Sequence, residues 1–413
     1  NNLMHHRHNS AGSFLSRLLH ANYADGVYQA LQEPRVPSAR RLSDVVARGA
    51  SGLPSQGNRT VLGVFFGFHI LGEIVEADTA GCPAEFLNLA IPQGDPVFDP
   101  EGSGDVVLPF QRAQWAPGTG QSPNNPRVEV NGVTGWLDGS AIYGPSHSWS
   151  DSLRSFSQGM LRSGEDPGFP KQTKAGSLMW KVLDPSAQQG GPEGILEFGN
   201  AKGNANLFLQ ATGIVWFRYH NHWARELARQ NPAWSDEDLF QHARKRVVAA
   251  YQNALSPLCH PLSRFCPAGY KQHVDARISP EFLVTSALFL VSHARANGSH
   301  STALRLCNSY WNRENSNLKT AKDIDDLLLG MSSQIAERED NIVVEDLRGM
   351  GCFGLAGPSW MWPPAPPAGP PWTRLLLRCE RPECTCAPPW THLAAPHLLL
   401  CCRSPFEGAC FAL

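Results

Sequence analysis

The chain has 413 residues, enough for one large domain or two ordinary ones, with a formal net charge of −2 and 17% charged residues. That balance gives no electrostatic footprint for nucleic acid or an anionic membrane surface. No run nears the ~18 consecutive apolar residues of a membrane span, since Leu207 to Phe217 is short and interrupted by Gln210, Thr212 and Gly213.

The chain opens on Asn1 with no signal-type apolar region after it, so it is expected to begin inside a longer coding sequence. The first strong element is the apolar run Thr60 to Glu76, read as a helix. From 77 to 146 the sequence is rich in Pro and Gly and is read as long loops with short strands at most. Ser148 to Asp151 resembles a capping box leading into Leu153 and Phe156. Leu207 to Gln230 carries Leu207, Ala211, Ile214 and Phe217 at helical spacing. Ser235 and Asp238 form a second capping box, followed by Leu239, Phe240, Ala243 and Val247. Arg244-Lys245-Arg246 are placed near that helix's C-terminal half, where they suit its macrodipole. Thr320 and Asp323 open a last helix with Ile324, Leu327, Leu328, Met331 and Ile335 at core spacing.

Residues 1–351 hold Cys82, Cys259, Cys266 and Cys307 of the 11 cysteines. Residues 352–413 hold the others, together with Pro363-Pro364-Ala365-Pro366-Pro367, which suits neither helix nor central strand. Cys384-Thr385-Cys386 and Cys401-Cys402 lack zinc-site spacing. This Pro/Cys-rich tail reads as unstructured, frame-shifted sequence, with a small disulfide module as the alternative. Asn58-Arg59-Thr60 and Asn297-Gly298-Ser299 are N-glycosylation sequons, which fit a secreted or luminal domain and disulfides among the four core cysteines.

Three features bear on chemistry. His69 sits among Val64, Phe65, Phe66, Phe68, Ile70 and Leu71, either as a core histidine bonded to a carbonyl or as an acid, base or metal ligand. Glu73, four residues on, shares its helix face. Thr134-Gly135-Trp136-Leu137-Asp138-Gly139-Ser140 presents the side chains of Thr134, Asp138 and Ser140 at alternate positions. With nearby carbonyls such as that of Trp136, it reads as a wrap for calcium or as a polar turn. In Arg218-Tyr219-His220-Asn221-His222-Trp223, His220 and His222 do not face each other, so packing is favoured over a two-His metal site.

These pieces resemble the animal haem peroxidases in order. Asn58-Arg59-Thr60 through Phe68-His69 resembles the family's distal-histidine helix. Cys82-Pro83-Ala84-Glu85-Phe86 and Ile91-Pro92-Gln93-Gly94-Asp95-Pro96 resemble the segment after it. Leu108 to Arg112 and Thr134 to Gly144 resemble its calcium-loop region. Phe217 to Asn221 with Asn231-Pro232-Ala233-Trp234 resembles its central helix pair. The wording is most similar to the peroxidase-homology domain of dual oxidases, through Ala24-Asp25-Gly26-Val27-Tyr28, Gly135 to Ser140 and Ile335 to Asp340. The likeness covers roughly residues 1–351.

The resemblance implies a mainly α, haem-peroxidase-like helical fold with long loops, here truncated and followed by the unstructured tail. It also exposes departures. Working members place a Gln four residues before the distal His and a carboxylate on each side of it. The matching residues are Phe65, Phe68 and Ile70. Glu73 is expected to replace the lost carboxylate by reaching the Thr134–Ser140 loop. The catalytic Arg position holds Lys202, which keeps charge but loses the planar fork, and a haem-bonding carboxylate is replaced by Ala205. The axial His position holds Leu290, with His293 three residues on. Residues 253–273 depart from the family pattern, which an altered splice product explains along with the tail.

The implied function is the extracellular peroxidase-like domain of a hydrogen-peroxide-generating NADPH oxidase, serving as a structural and partner-binding module with a degenerate haem site. Haem belongs to the family and calcium to the loop. NADPH, FAD and EF-hand calcium belong to regions of the full-length protein outside this chain. The implied partners are the dual oxidase maturation factor and the rest of the oxidase. The implied place is the extracellular or luminal face of the plasma membrane or ER, with membrane contact through segments outside this chain. The alternatives are a haem peroxidase that reduces hydrogen peroxide under oxidative stress, with His69 as acid-base, and a truncated chain without a stable fold.

Overall fold

A computed structural model describes residues 9–77, 85–108, 110–174, 195–259, 275–294, 306–309 and 318–348. The expectations for Asn297, for most of 253–273 and for the 352–413 tail fall outside these residues. So do those for the side chains of all four core cysteines.

The helices are α1 (Ala39–Val46), α2 (Val61–Ile74), α3 (Ser140–Tyr143), α4 (His147–Leu153), α5 (Leu207–Gln230), α6 (Asp236–Cys259), α7 (Pro280–His293), α8 (Leu306–Ser309), α9 (Ala321–Ser333) and α10 (Glu345–Arg348). Two antiparallel strands of two residues each, β1 (Leu89–Ala90) and β2 (Val107–Leu108), interrupt the loop-rich stretch. The mainly helical architecture with long loops is therefore as expected.

Helix α2 organises the molecule. Thr60 caps it by accepting from the Gly63 amide. Its apolar residues face two cores at once, so it shows no single stripe. Val61 and Phe65 join Leu207, Phe208, Ala211 and Ile214 of α5 and Ile324, Leu327 and Met331 of α9. Ile70 joins Ile142 and Tyr143 of α3, Leu153 of α4, Phe217 of α5, and Phe240, Val247 and Tyr251 of α6. Helices α5 and α6 are connected by residues 231–235 and pack along each other, the usual outcome of a short helix–helix link.

Several local expectations are corrected. The cap of α4 is Ser146, not Ser148, because the Ser146 hydroxyl accepts from Trp149. Phe156 lies outside the helix with φ 54° and is exposed. Helix α6 runs to Cys259, so Arg244-Lys245-Arg246 sit mid-helix and not in the last turn. Their role is local: the Arg244 guanidinium covers the Tyr143 ring, and Arg246 covers Trp223. Ile335 follows α9 and pairs with Thr60 across an isolated bridge. The Thr320–Asp323 box forms as read. Helix α7 was not anticipated, although Ser279 at the N-cap, Pro280 and Glu281 are its start signal. Among the described residues no helix is long and apolar enough to cross a membrane.

Candidate functional site

His69 lies in the last turns of α2, 7% exposed. Its Nδ1 is 2.8 Å from the hydroxyl of Tyr251, a wholly buried residue of α6. Burial lowers His69 to about 4, so the imidazole is neutral at ordinary pH. The same burial holds the Tyr251 phenol well above its usual value, and the charge of Glu73 adds to this. Tyr251 was missed at first reading. Its partner is 182 residues away in sequence, yet Phe240, Ala243, Val247 and Tyr251 fall on one helical stripe, which marks it as inward-facing.

Glu73 does reach the loop ahead of α3. Its carboxylate accepts from the Gly139, Ser140 and Ala141 amides at 2.5, 2.9 and 2.6 Å, and the Ser140 hydroxyl donates to the Glu73 carbonyl at 2.8 Å. Gly139 can lead into α3 because its φ is +83°. Desolvation outweighs these donors and raises Glu73 to about 7.

Asp138 is half-buried and also raised, by desolvation first, against the pull of Thr134 and Arg244. Its Oδ1 accepts from the Ser140 amide at 3.1 Å. The Thr134 hydroxyl faces Asp138, is buried, and completes no hydrogen bond of full geometry. Trp136 is half-buried beside them. Thr134 and Asp138 bring two oxygens together, against the roughly six to eight that a calcium ion takes. Glu73 and Ser140 are drawn into the α2–α3 contact instead. Among the described residues no group of three or more His, Cys, Asp or Glu is arranged to hold a metal.

The other candidates lie apart from His69. Lys202 follows the N-cap Asn200 of a 3-10 turn, Ala201–Asn204, and its ammonium is 3.8 Å from Glu76, beyond the C-terminal end of α2. His220 is wholly buried. Its Nε2–H donates to the Gly159 carbonyl at 2.9 Å and its Nδ1 accepts from Tyr143 at 2.8 Å, so both nitrogens are occupied. His222 is exposed, so the two do not meet. Asn58 is exposed in the turn before α2.

The helical fold built around a helix with a buried histidine is that of a known class: this chain belongs to the animal haem peroxidase family, whose model matches residues 1–356. Within that family it is similar to the dual oxidases. It is 57% identical over 369 residues to dual oxidase 2 of Rattus norvegicus and 56% identical over 369 residues to dual oxidase 1 of Homo sapiens. In each case 84% of this chain and 24% of the relative are covered. The chain therefore spans about a quarter of the length of these relatives. Dual oxidase 1 of Caenorhabditis elegans is 37% identical over 372 residues. Among solved structures, peroxidase A from Dictyostelium discoideum superposes with a TM-score of 0.69 at 21% identity, covering 83% of this chain and 69% of that one. A fatty acid alpha-dioxygenase of Oryza sativa gives 0.57 at 14% identity, covering 82% and 62%. Both likenesses are of fold.

The described residues do not fit a haem between α2 and α7. Leu290, which the sequence resemblance sets against the family's axial histidine, packs directly on Gly67, where even a Cβ would lie 2.6 Å from Leu290 Cδ2. Phe65, at the position of the family's Gln, stacks on Phe208 with ring centroids 4.6 Å apart. His293 faces elsewhere: its Nδ1 bonds the Phe289 carbonyl at 2.6 Å, and its Nε2 is 3.8 Å from Glu339.

Proposed function

We propose that this chain is the peroxidase-like module of a hydrogen-peroxide-generating dual oxidase, retained for assembly and not for peroxide reduction. The observation that carries this reading is the direct seating of Leu290 on Gly67, an apolar contact with no histidine in it. The likeness to dual oxidases supports the family context. In that context the partners are the maturation factor and the remaining oxidase, whose segments would bring NADPH, FAD and EF-hand calcium. The module then faces the extracellular or luminal side, with glycans on Asn58 and Asn297. Lys202 and His69 occupy catalytic positions without the groups that complete them.

Haem titration of the full chain tests the reading. The expected spectrum has no Soret band that shifts with cyanide. A cyanide-sensitive band lost in both His69→Ala and His293→Ala would establish the peroxidase alternative instead. The co-expressed maturation factor is expected to co-purify with the chain, and its failure to do so would remove the assembly role.

We assign the Thr134–Ser140 loop a calcium ion held through Thr134, Trp136 and Asp138, with the Ser140 hydroxyl turning from the Glu73 carbonyl to complete the site. Calcium is expected to raise the melting temperature of the wild type and to leave Asp138→Ala unchanged. Equal shifts in both proteins would take Asp138 out of the site.

A further inference from the structure

The rings around His69 continue outward along one helix. Tyr251 lies 5.0 Å from Trp216, Trp216 lies 6.1 Å from Tyr219, and Tyr219 lies 6.1 Å from Trp223, all centroid to centroid. Trp216, Tyr219 and Trp223 stand three and four residues apart on α5, so they form a stripe on one face. Each is half-buried, whereas Tyr251 is wholly buried. Apolar packing accounts for the stripe. It does not require a phenol and an imidazole at the inner end, where leucine would fill the space without a polar atom to satisfy. Among the described residues the Tyr251 hydroxyl makes no other hydrogen bond, so donation to His69 Nδ1 satisfies its hydrogen.

We propose that Tyr251 and His69 form a redox-active pair, the end point for one-electron oxidation that starts at the aromatic stripe of α5. The oxidant is a peroxide-derived radical, of the hydroxyl-radical class. It takes one electron from Trp223 and leaves as hydroxide. Electrons then move outward through Tyr219 and Trp216 until Tyr251 supplies one. The Tyr251 O–H bond breaks, and its proton passes to His69 Nδ1, forming the N–H bond of an imidazolium. The products are a neutral tyrosyl radical, the imidazolium and hydroxide, so charge and electrons balance. One electron from a thiol or ascorbate reverses the step, and the proton returns from His69 to the phenolic oxygen.

The geometry favours this end point for two reasons. A phenol radical cation is a far stronger acid than an imidazolium, so its proton crosses to a base already within hydrogen-bond reach. Here a neutral nitrogen stands 2.8 Å away. Glu73, one turn on from His69 along α2, puts a carboxyl group on the same helix face as the imidazolium when it forms. The peroxide source comes from the function proposed above, whereas the pair is tested with an added oxidant and stands or falls without it.

The experiment uses the full chain, with photogenerated tris(bipyridine)ruthenium(III) as oxidant and freeze-quench electron paramagnetic resonance as readout. The wild type is expected to give a tyrosyl signal whose high-field g-values report a hydrogen bond from a cationic donor. Tyr251→Phe is expected to lose that signal and to accumulate oxidised Trp216 and Trp223 in peptide mass spectra. His69→Gln, with its fold checked by melting, is expected to form the radical more slowly and without the wild-type solvent deuterium effect. A tyrosyl signal undiminished in Tyr251→Phe would assign the radical to another of the seven tyrosines and overturn the proposal. A wild-type signal lacking the hydrogen-bond signature would overturn it as well, without reference to any variant.

Discussion

Glu73→Ala is expected to destabilise the protein by on the order of 2–6 kcal/mol, because it leaves the buried Gly139 and Ala141 amides without their acceptor, at about 1–3 kcal/mol for each, while the Ser140 amide keeps Asp138. The side chain is wholly buried, so water does not replace it. The effect should spread, since these amides open α3, and α3 contributes Ile142 and Tyr143 to the core shared with α4, α5 and α6. Glu73→Gln keeps one accepting oxygen and should lose less, the remaining loss coming from the amide N–H that then faces an NH2 unable to accept. The denaturant midpoint measures both, and doing so with calcium and with a chelator separates two roles. A residue that anchors backbone costs the same stability in either condition. A calcium ligand costs it only when calcium is present, so a loss confined to the calcium arm would show that Glu73 moves off these amides to bind the ion.

How much of this was legible follows from the range of each signal. The helices over Thr60–Glu76, Leu207–Gln230 and Ser235 onward were readable because caps and apolar spacing are local, and Asn206, Thr60 and Thr320 cap as their residue types prefer. The meeting of Glu73 with the 134–140 loop was readable through the family resemblance, not through spacing. What the loop receives from Glu73 was not, since a carboxylate serves a cation or three amides equally well on paper. Tyr251 and Tyr143 escaped because each finds its histidine across helices far apart in sequence. Helix α7 escaped because its outer face is apolar too: Phe282, Val284, Leu288 and Phe289 are all exposed, which erases the polar side that periodicity detects. Leu290 could be placed at the axial position from sequence, yet its packing on Gly67 is a property of two helices together.

Acid should destabilise this protein between pH 6.5 and 4, with His220 and His69 as the cause and Glu73, raised to about 7, working against them over the same range. Each histidine is lowered from an ordinary value near 6.5 to about 4, with burial the largest cause and, at His220, the charges of Arg244 and Arg154 adding to it. The sign follows from where the proton binds. Below pH 6.5 the unfolded chain takes up a proton on each histidine while the folded chain does not, so the stability present above 6.5 is lost as pH falls toward 4. A shift of that size corresponds to about 3 kcal/mol for each histidine, a large share of a typical domain's stability. Geometry agrees at His220, where Nε2–H is bound to the Gly159 carbonyl and a proton on Nδ1 would make the buried Tyr143 hydroxyl accept, leaving its own hydrogen without this partner. His220→Gln is expected to flatten the fall in denaturant midpoint between pH 6.5 and 4, because glutamine can still donate to Gly159 but does not titrate. The variant will start from a lower midpoint at pH 7.5, so the slope and not the height is the test. A slope unchanged in both His220→Gln and His69→Gln would place the acid sensitivity in the Arg-paired carboxylates Asp95, Glu85 and Glu237, which lose their pairing only as pH falls through the carboxylate range.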